Sequence, residues 1–308
     1  MSHKKIRIGT RGSKLALYQA EKVRDKIRET HPDINTEIVI IKTLGDKILD
    51  VALSKIGDKG LFTKELENAL TDNRIDMAVH SLKDLPTELP AGYGIGAVLE
   101  RGDYRDAIVS VKNKKLSDLV AGDRIGTSSL RRQAGLLHYN NKLQVVDIRG
   151  NVNTRLQKME DGHCDAIIMA AAGLIRLGLE ERITEILNPA SFIPAVSQGI
   201  IAVEIRSSDE FVGRICETFN HPETSMAAKM ERAFLNTLQG GCQVPAGCFT
   251  LWSESAVTIT GFVASPDGKT YIKENMTTPF GEMEETGRLL AGKLLARGGD
   301  KILREIRI

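Results

Sequence analysis

Gly126-Thr127-Ser128-Ser129-Leu130-Arg131-Arg132-Gln133 and, soon after it, Asp147-Ile148-Arg149-Gly150-Asn151-Val152-Asn153-Thr154-Arg155 decide how this chain is read. Each follows a short apolar run of strand character and opens a helix with Ser, Thr or Asn beside arginine. The first turn of a helix presents unpaired N–H groups at the positive end of its dipole, so it draws anions. Arginine adds a planar fork that grips a carboxylate or phosphate through two hydrogen bonds. Taken singly, each arginine reads equally as a charge on a solvated helix face. Four of them set among cap residues predict a pocket for a small molecule with several negative charges.

The same rhythm runs outward from these turns. Strand character covers Lys5–Gly9, Glu37–Lys42, Asp76–His80, Leu143–Ile148, Asp165–Met169 and Ile200–Ile205. Amphipathic helical spacing covers Lys14–Arg28, Phe62–Leu70, Leu130–Tyr139 and Val152–Glu160. This alternation is the signature of an α/β fold. Arg7-Ile8-Gly9-Thr10 returns as Arg124-Ile125-Gly126-Thr127, and Asp76-Met77-Ala78-Val79 has a counterpart in Asp165-Ala166-Ile167-Ile168. Four-residue matches also arise by chance; a true duplication would give two α/β lobes with their strand-to-helix turns around one cleft, where open α/β sheets bind ligands. After a helix over Ser225–Leu238, Gly240–Gly247 leads to strands at Ala256–Val263 and Thr270–Asn275 and a helix near Glu282–Arg297, a small α+β domain.

Composition narrows the function. The 308 residues suffice for two or three domains, and 42 basic residues against 40 acidic ones leave a formal charge of +2. Nucleic-acid proteins normally show a basic excess, and 5% aromatic residues supply no stacking platform, so a nucleic-acid partner is not expected. No stretch approaches a membrane span and the first residues carry no export signal, which predicts a cytoplasmic protein. The four cysteines, Cys164, Cys216, Cys242 and Cys248, form no CxxC pair and read as thiols of a reducing compartment, with no zinc site.

Several residues carry possible chemistry. Arg11 and Ser13 form a first-lobe analogue of the arginine turns, although Ser13 reads equally as a plain helix cap. Without GxGxxG or GxxxxGK[ST], a nucleotide site is poorly supported. His80-Ser81-Leu82-Lys83-Asp84-Leu85-Pro86 ends a strand with a carboxylate beside a lysine, either an acid/base pair or a solvated turn before proline. Cys242 follows two glycines and precedes Pro245, a loop setting that suits a nucleophile or an attachment point. Cys164 and Cys216 fall inside expected elements and read as inert core thiols, while Cys248 stands at a strand start and stays open. The polar stretch from Thr43 to Lys59 is either a lid or a surface loop.

IGTRGSKLAL, KGLFTKELE, DMAVHSLKDLP, GTSSLRRQ, RGNVNTRL, DAIIMAAAGLIRLGL and GGCQVPAGC stand in that order across nearly the whole chain, which thereby resembles the porphobilinogen deaminase (hydroxymethylbilane synthase) family. The resemblance implies two lobes like those of type II periplasmic binding proteins around a cleft, plus the C-terminal α+β domain. The boundaries expected are 1–99 with 200–217, 105–193, and 222–308. It implies a monomeric transferase of tetrapyrrole (haem) biosynthesis that joins four porphobilinogen molecules head to tail, releasing ammonia, to give hydroxymethylbilane. A dipyrromethane cofactor, bound by a thioether to Cys242, would prime the chain. Asp84 matches the catalytic aspartate, which would stabilise the cation left when ammonia departs and help move protons. Arg11, Arg131, Arg132, Arg149, Arg155 and Arg176 match the arginines that neutralise acetate and propionate groups, assisted by Ser13, Ser81, Thr127, Ser128, Ser129 and the backbone at Gly150. Lys83 would pair with a cofactor carboxylate. Lys55, Lys59 and Phe62 fall in the lid, and Gln198 in the segment crossing back between lobes. Ser197, Ile200-Ile201 and Asp58 replace the family's usual glycine or small residues, and would stiffen the crossing segment or alter the lid. A non-catalytic polycarboxylate-binding clamshell and a cysteine hydrolase are the rival readings; the glycine-flanked Cys242 opposes the first, and the lack of a nearby His partner the second.

Overall fold

Arg7 and Asp76 form a clasp that a second pair, Arg124 and Asp165, repeats. In the computed structural model, which describes residues 5–47, 63–240 and 244–306, the Arg7 N–H donates to Asp76 Oδ2 at 2.8 Å while the Asp76 N–H donates to the Arg7 carbonyl at 2.8 Å. Arg124 and Asp165 exchange the same two bonds, both at 2.8 Å. Each guanidinium then reaches the carbonyl of the turn before the partner strand, Asn73 in one case and Gly162 in the other. The sequence echo is thus a structural duplication: the same two elements are pinned by the same side chains.

In chain order, β1 (Lys5–Thr10), α1 (Lys14–Thr30), β2 (Asn35–Ile40), α2 (Leu44–Lys47), α3 (Lys64–Thr71), β3 (Met77–Ser81) and β4 (Tyr93–Val98) come first. Next come β5 (Asp106–Ser110), β6 (Arg124–Gly126), α4 (Leu130–Tyr139), β7 (Gln144–Val146), α5 (Val152–Glu160), β8 (Ala166–Ala170), α6 (Ala171–Ile175) and β9 (Glu185–Ile186). Then follow β10 (Ile201–Arg206), α7 (Glu210–Phe219), α8 (Pro222–Thr237), β11 (Ala246–Trp252), β12 (Val257–Ala264), β13 (Tyr271–Thr278), α9 (Met283–Leu294) and α10 (Asp300–Ile306). The first two sheets run β2-β1-β3-β10-β4 and β7-β6-β8-β5-β9, and the third runs β11-β12-β13. In each five-stranded sheet the first three strands are parallel and the fourth runs against them. That fourth strand comes from a distant stretch of chain: β10 returns to complete the first sheet, and β5 enters to found the second.

The described residues form two compact units, one of 5–47, 63–102 and 200–225, the other of 103–199, 226–240 and 244–306. In the first, α1 buries Ala16, Ala20, Val23 and Ile27 at helical spacing, and they pack with Ile6, Ile8, Met77 and Val203. In the second, Ala107 and Val109 join one cluster and Ile108 the other, so alternate residues of β5 bury opposite sheet faces. The antiparallel sheet β11-β12-β13 packs Val263 and Ile259 against Met230 and Phe234 of α8 and Leu290 and Leu294 of α9.

The helices expected at Leu130–Tyr139 and Val152–Glu160 have those bounds, and the strands expected around β1, β2, β3, β7, β8 and β10 lie within two residues of their expected ends. Four strands and four helices were not anticipated: β4, β5, β9, β11, α2, α6, α7 and α10. β4 contains Gly94 and Gly96, β5 opens on Asp106, and β11 follows directly on Pro245 and contains Gly247, all local signals that disfavour a strand. Pairing with β10, β8 and β12 overrides them.

Ser197 adopts a backbone conformation that favours glycine. Its φ is +60°, the left-handed region that L residues enter with strain, and its buried Oγ has no hydrogen-bond partner. Ser197→Gly should therefore stabilise the protein by roughly 1 kcal/mol, read as a higher melting temperature; a lower one would show that the hydroxyl contributes to the fold.

The Asp76 clasp sets an acid limit. Burial alone would raise the Asp76 pKa, but its hydrogen bonds and charge pairing with Arg7 outweigh burial and leave it lowered. A carboxyl with a lowered folded pKa contributes stability above its unfolded pKa of about 3.9, lost as pH falls through the folded value. Asp76→Asn should lower the melting temperature at pH 7 and narrow that deficit on approach to pH 3. An equal deficit at both pH values would contradict the account.

Candidate functional site

β6, β7 and β8 are parallel, so the turns leaving them share the carboxyl edge of the second unit's sheet. In the first turn the buried Thr127 donates its N–H to the Val146 carbonyl at 2.9 Å, and its Oγ1 accepts from the Ser129 N–H at 3.2 Å. Ser128 Oγ donates to the Ile148 carbonyl at 2.7 Å, joining this turn to the next. Ser129 is the N-cap of α4, accepting from the Arg132 N–H at 3.5 Å. In the second turn Asn151 caps α5, and Gly150 takes φ +117°, where a Cβ would lie 2.7 Å or less from Thr154 atoms. Glycine is required there, and its carbonyl accepts from Arg155 Nε at 2.8 Å.

The arginines divide into two kinds. Arg131 and Arg132 are buried and converge on Asp106, which is fully buried at the start of β5. Arg131 Nη1 donates to Asp106 Oδ2 at 2.7 Å and to the Ile193 carbonyl at 2.8 Å. Arg132 donates to Asp106 Oδ1 through Nε at 3.1 Å and Nη2 at 2.8 Å, and through Nη1 to the Ile168 carbonyl at 3.2 Å. Burial alone would raise the Asp106 pKa, but the two guanidinium groups outweigh it and hold the carboxyl far below the usual range. Two cations on one carboxylate leave a buried surplus of one positive charge, and removing either partner of such a pair costs about 3–5 kcal/mol. The Arg131 stem is also packed, since a Cβ at Gly247 would lie 2.9 Å from its Cδ and 2.3 Å from the Pro194 carbonyl.

Arg149 is different: its Nη1 is buried and has no hydrogen-bond partner. Arg155 and Arg176 are half-buried, and Arg176 Nη2 donates to the Gly199 carbonyl at 2.5 Å. Gln198 is fully buried, its Nε2 donating to the Tyr104 carbonyl at 2.8 Å and to Asp106 Oδ1 at 3.0 Å. Among the described residues, an uncompensated guanidinium N–H and a surplus buried charge are what a bound anion would satisfy.

In the first unit, Ser13 caps α1, accepting from the Ala16 N–H at 3.2 Å, and the half-buried Arg11 lies two residues before it. β1 and β3 are parallel, so the turn after β3, Leu82–Asp84, leaves from the same sheet edge as the β1–α1 turn. Ser81 Oγ accepts from Gln19 Nε2 at 2.8 Å, and the Leu82 N–H donates to the Ile200 carbonyl at 2.9 Å, which holds the turn on both sides. Lys83 is half-buried and Asp84 exposed. His80, open in the sequence, is buried with Nε2 3.0 Å from Glu204 Oε2.

Cys242 and the lid residues Lys55, Lys59 and Phe62, with Asp58, lie outside the described residues. Cys164, Cys216 and Cys248 are buried, and burial raises the thiol pKa of Cys164 and pushes that of Cys216 up to about 12. Sequence reasoning missed Asp106, Glu204 and Glu231. Glu231 of α8 is buried, with Oε2 accepting from the Ser197 N–H at 2.8 Å and Oε1 from the Thr250 N–H and Oγ1 at 3.1 Å. For Glu204 the available signal was a charged residue inside an otherwise apolar stretch, IAVEI; Asp106 follows Arg105 and Glu231 lies between Lys229 and Arg232, where no such signal stands.

Comparison with known proteins covers both units. A family model described as porphobilinogen deaminase, dipyromethane cofactor binding domain, matches residues 6–214, and the porphobilinogen deaminase C-terminal domain matches 225–296. The porphobilinogen deaminase of Syntrophomonas wolfei is 52% identical over 302 residues, covering 98% of this chain and 99% of its own. That of Carboxydothermus hydrogenoformans is 50% identical, with 99% and 98% covered, and that of Geobacter metallireducens 48%, with 99% and 96%. A solved TRAP periplasmic solute binding protein from Desulfovibrio salexigens is 11% identical over 72% of this chain and 74% of its own, with a TM-score of 0.44. On the two matched domains and these full-length relatives, the chain belongs to the porphobilinogen deaminase family.

Proposed function

We propose that the chain is a transferase of tetrapyrrole biosynthesis that condenses four porphobilinogen molecules head to tail into hydroxymethylbilane, releasing ammonia at each addition. Each porphobilinogen unit carries an acetate and a propionate, so the growing chain is a compact polyanion. The buried, unpartnered Nη1 of Arg149 carries the reading, because only an anionic or strongly accepting ligand group repays its burial. The surplus positive charge around Asp106 supports it.

A dipyrromethane cofactor on Cys242 would supply the pyrrole carbon from which the chain grows. Arg11, Ser13, Ser81, Lys83, Arg132, Arg149, Arg155 and Arg176, with the backbone around Gly150, would hold its carboxylates. Thr127, Ser128 and Ser129 shape the turn, and their hydroxyls are engaged within the protein. Asp84, exposed at the end of its single helical turn, would face the pyrrole N–H groups, stabilise positive charge and carry protons. Lys55, Lys59 and Phe62 would close over the site, and Gln198 would line it from the crossing segment.

The reading takes the chain as three domains, 1–99 with 200–217, 105–193 and 222–308, and as a monomer of the cytoplasm that binds neither nucleic acid nor membrane. Its near-balanced charge supports this, and no helix among the described residues is long and apolar enough to cross a membrane.

Ammonia release from porphobilinogen tests the assignment. Asp84→Ala should keep its cofactor and lose at least ~2 orders of magnitude in rate, as removal of a charge-stabilising acid/base group does; a rate near that of the unaltered protein would move the role elsewhere. Cys242→Ser should lose the attached pigment and nearly all turnover, and full activity would remove the cysteine from the scheme.

A further inference from the structure

Asp106 is fully buried and accepts four side-chain hydrogen bonds. Its Oδ1 accepts three bonds, from Arg132 Nε at 3.1 Å, Arg132 Nη2 at 2.8 Å and Gln198 Nε2 at 3.0 Å, and its Oδ2 accepts one from Arg131 Nη1 at 2.7 Å. Arg132 Nη2 also approaches Gln198 Oε1 at 3.5 Å, so arginine, amide and carboxylate close a ring. The Ile168 carbonyl at the third nitrogen of Arg132 removes its remaining freedom to rotate. Gln198 in turn donates to the Tyr104 carbonyl at 2.8 Å, so the cluster also joins the two stretches by which the chain enters and leaves this unit, 103–106 and 195–199.

A carboxylate in an anion site looks self-defeating, since it repels the ligand. The count resolves this: two guanidinium groups on one carboxylate leave the cluster positive. Asp106 cancels one charge and in exchange fixes the pose of the other, so a ligand need not pay the rotamer entropy of ordering a free arginine. We propose that Asp106 is the positioning residue of the arginine turn, its one buried carboxylate holding Arg132 and Gln198 in place while the cluster keeps one positive charge for an anionic group of the cofactor. The proposal rests on the function assigned above. It contrasts with a purely structural role, in which Asp106 only makes two buried arginines tolerable.

Asp106→Glu separates the two, because it keeps the charge and displaces the carboxylate by one methylene. Three readouts apply: melting temperature, the fraction of purified protein carrying the added mass of two pyrrole units, and hydrogen exchange at Arg132 Nε–H by NMR. Positioning predicts a folded variant with at least ~10-fold less loaded protein and ~10-fold faster Nε–H exchange, as loss of a well-aligned charged hydrogen bond implies. Loading and exchange equal to those of the unaltered protein would overturn the proposal. Should Asp106→Glu not fold, Gln198→Leu decides, since it leaves both ion pairs intact: reduced loading with faster Arg132 Nε–H exchange supports positioning, and full loading, or reduced loading at unchanged exchange, contradicts it. An unaltered protein without the pyrrole mass would count against the assigned function, and Nε–H exchange in Asp106→Glu would still decide for or against positioning.

Discussion

The second unit depends on a single buried carboxylate. Asp106 stands at the first residue of the strand that enters this unit, on the sheet that carries the arginine turns, and it holds Arg131 and Arg132 out of water. Without it, two guanidinium groups would sit in a low-dielectric interior with only carbonyl partners, a penalty no packing gain nearby could offset. With it, the first turn of α4 is fixed to β5, to β8 through the Ile168 carbonyl and to the segment before Gln198. The stem of Arg131 extends the connection to the C-terminal sheet at Gly247. Charge, packing and site geometry are one arrangement here.

A duplicated lobe explains how such a site arises from simple parts. The Arg7–Asp76 and Arg124–Asp165 clasps hold equivalent strands at equivalent registers, with Gly9 beside Ala78 in one sheet and Gly126 beside Ile167 in the other. Each parallel set sends a serine-capped helix away from its carboxyl edge, beginning at Lys14 and at Leu130. The lobes then specialise. Counting from the clasp aspartates, Lys83 and Asp84 of the first lobe correspond to Ala172 and Gly173 of the second, so the lysine–aspartate pair has no counterpart there.

The fold was legible where local pattern and tertiary role agree. Ser129 and Asn151 are good caps ahead of periodic segments, and α4 and α5 begin and end where the spacing places them. The echo of RIGT and of the two aspartates left duplication and chance open, and the clasp, which needs those residues, decides for duplication. β5 and β11 were not legible, because Asp106 in one, and Pro245 and Gly247 in the other, argue locally against strands that only their partners select. At the site, the arginines were visible as a cluster, but their separation into buried and unsatisfied groups was not. Whether Arg131 meets Asp106 or a ligand depends on a residue 25 positions away, and no spacing rule reaches that far.

The central claim is that these turns hold a covalently anchored polycarboxylate. The most direct measurement is the intact mass of the purified, denatured protein, with peptide mapping of any excess. The account predicts an excess of two pyrrole units carried by the peptide that contains Cys242. A mass equal to that of the bare chain, unchanged after incubation with porphobilinogen, would contradict it.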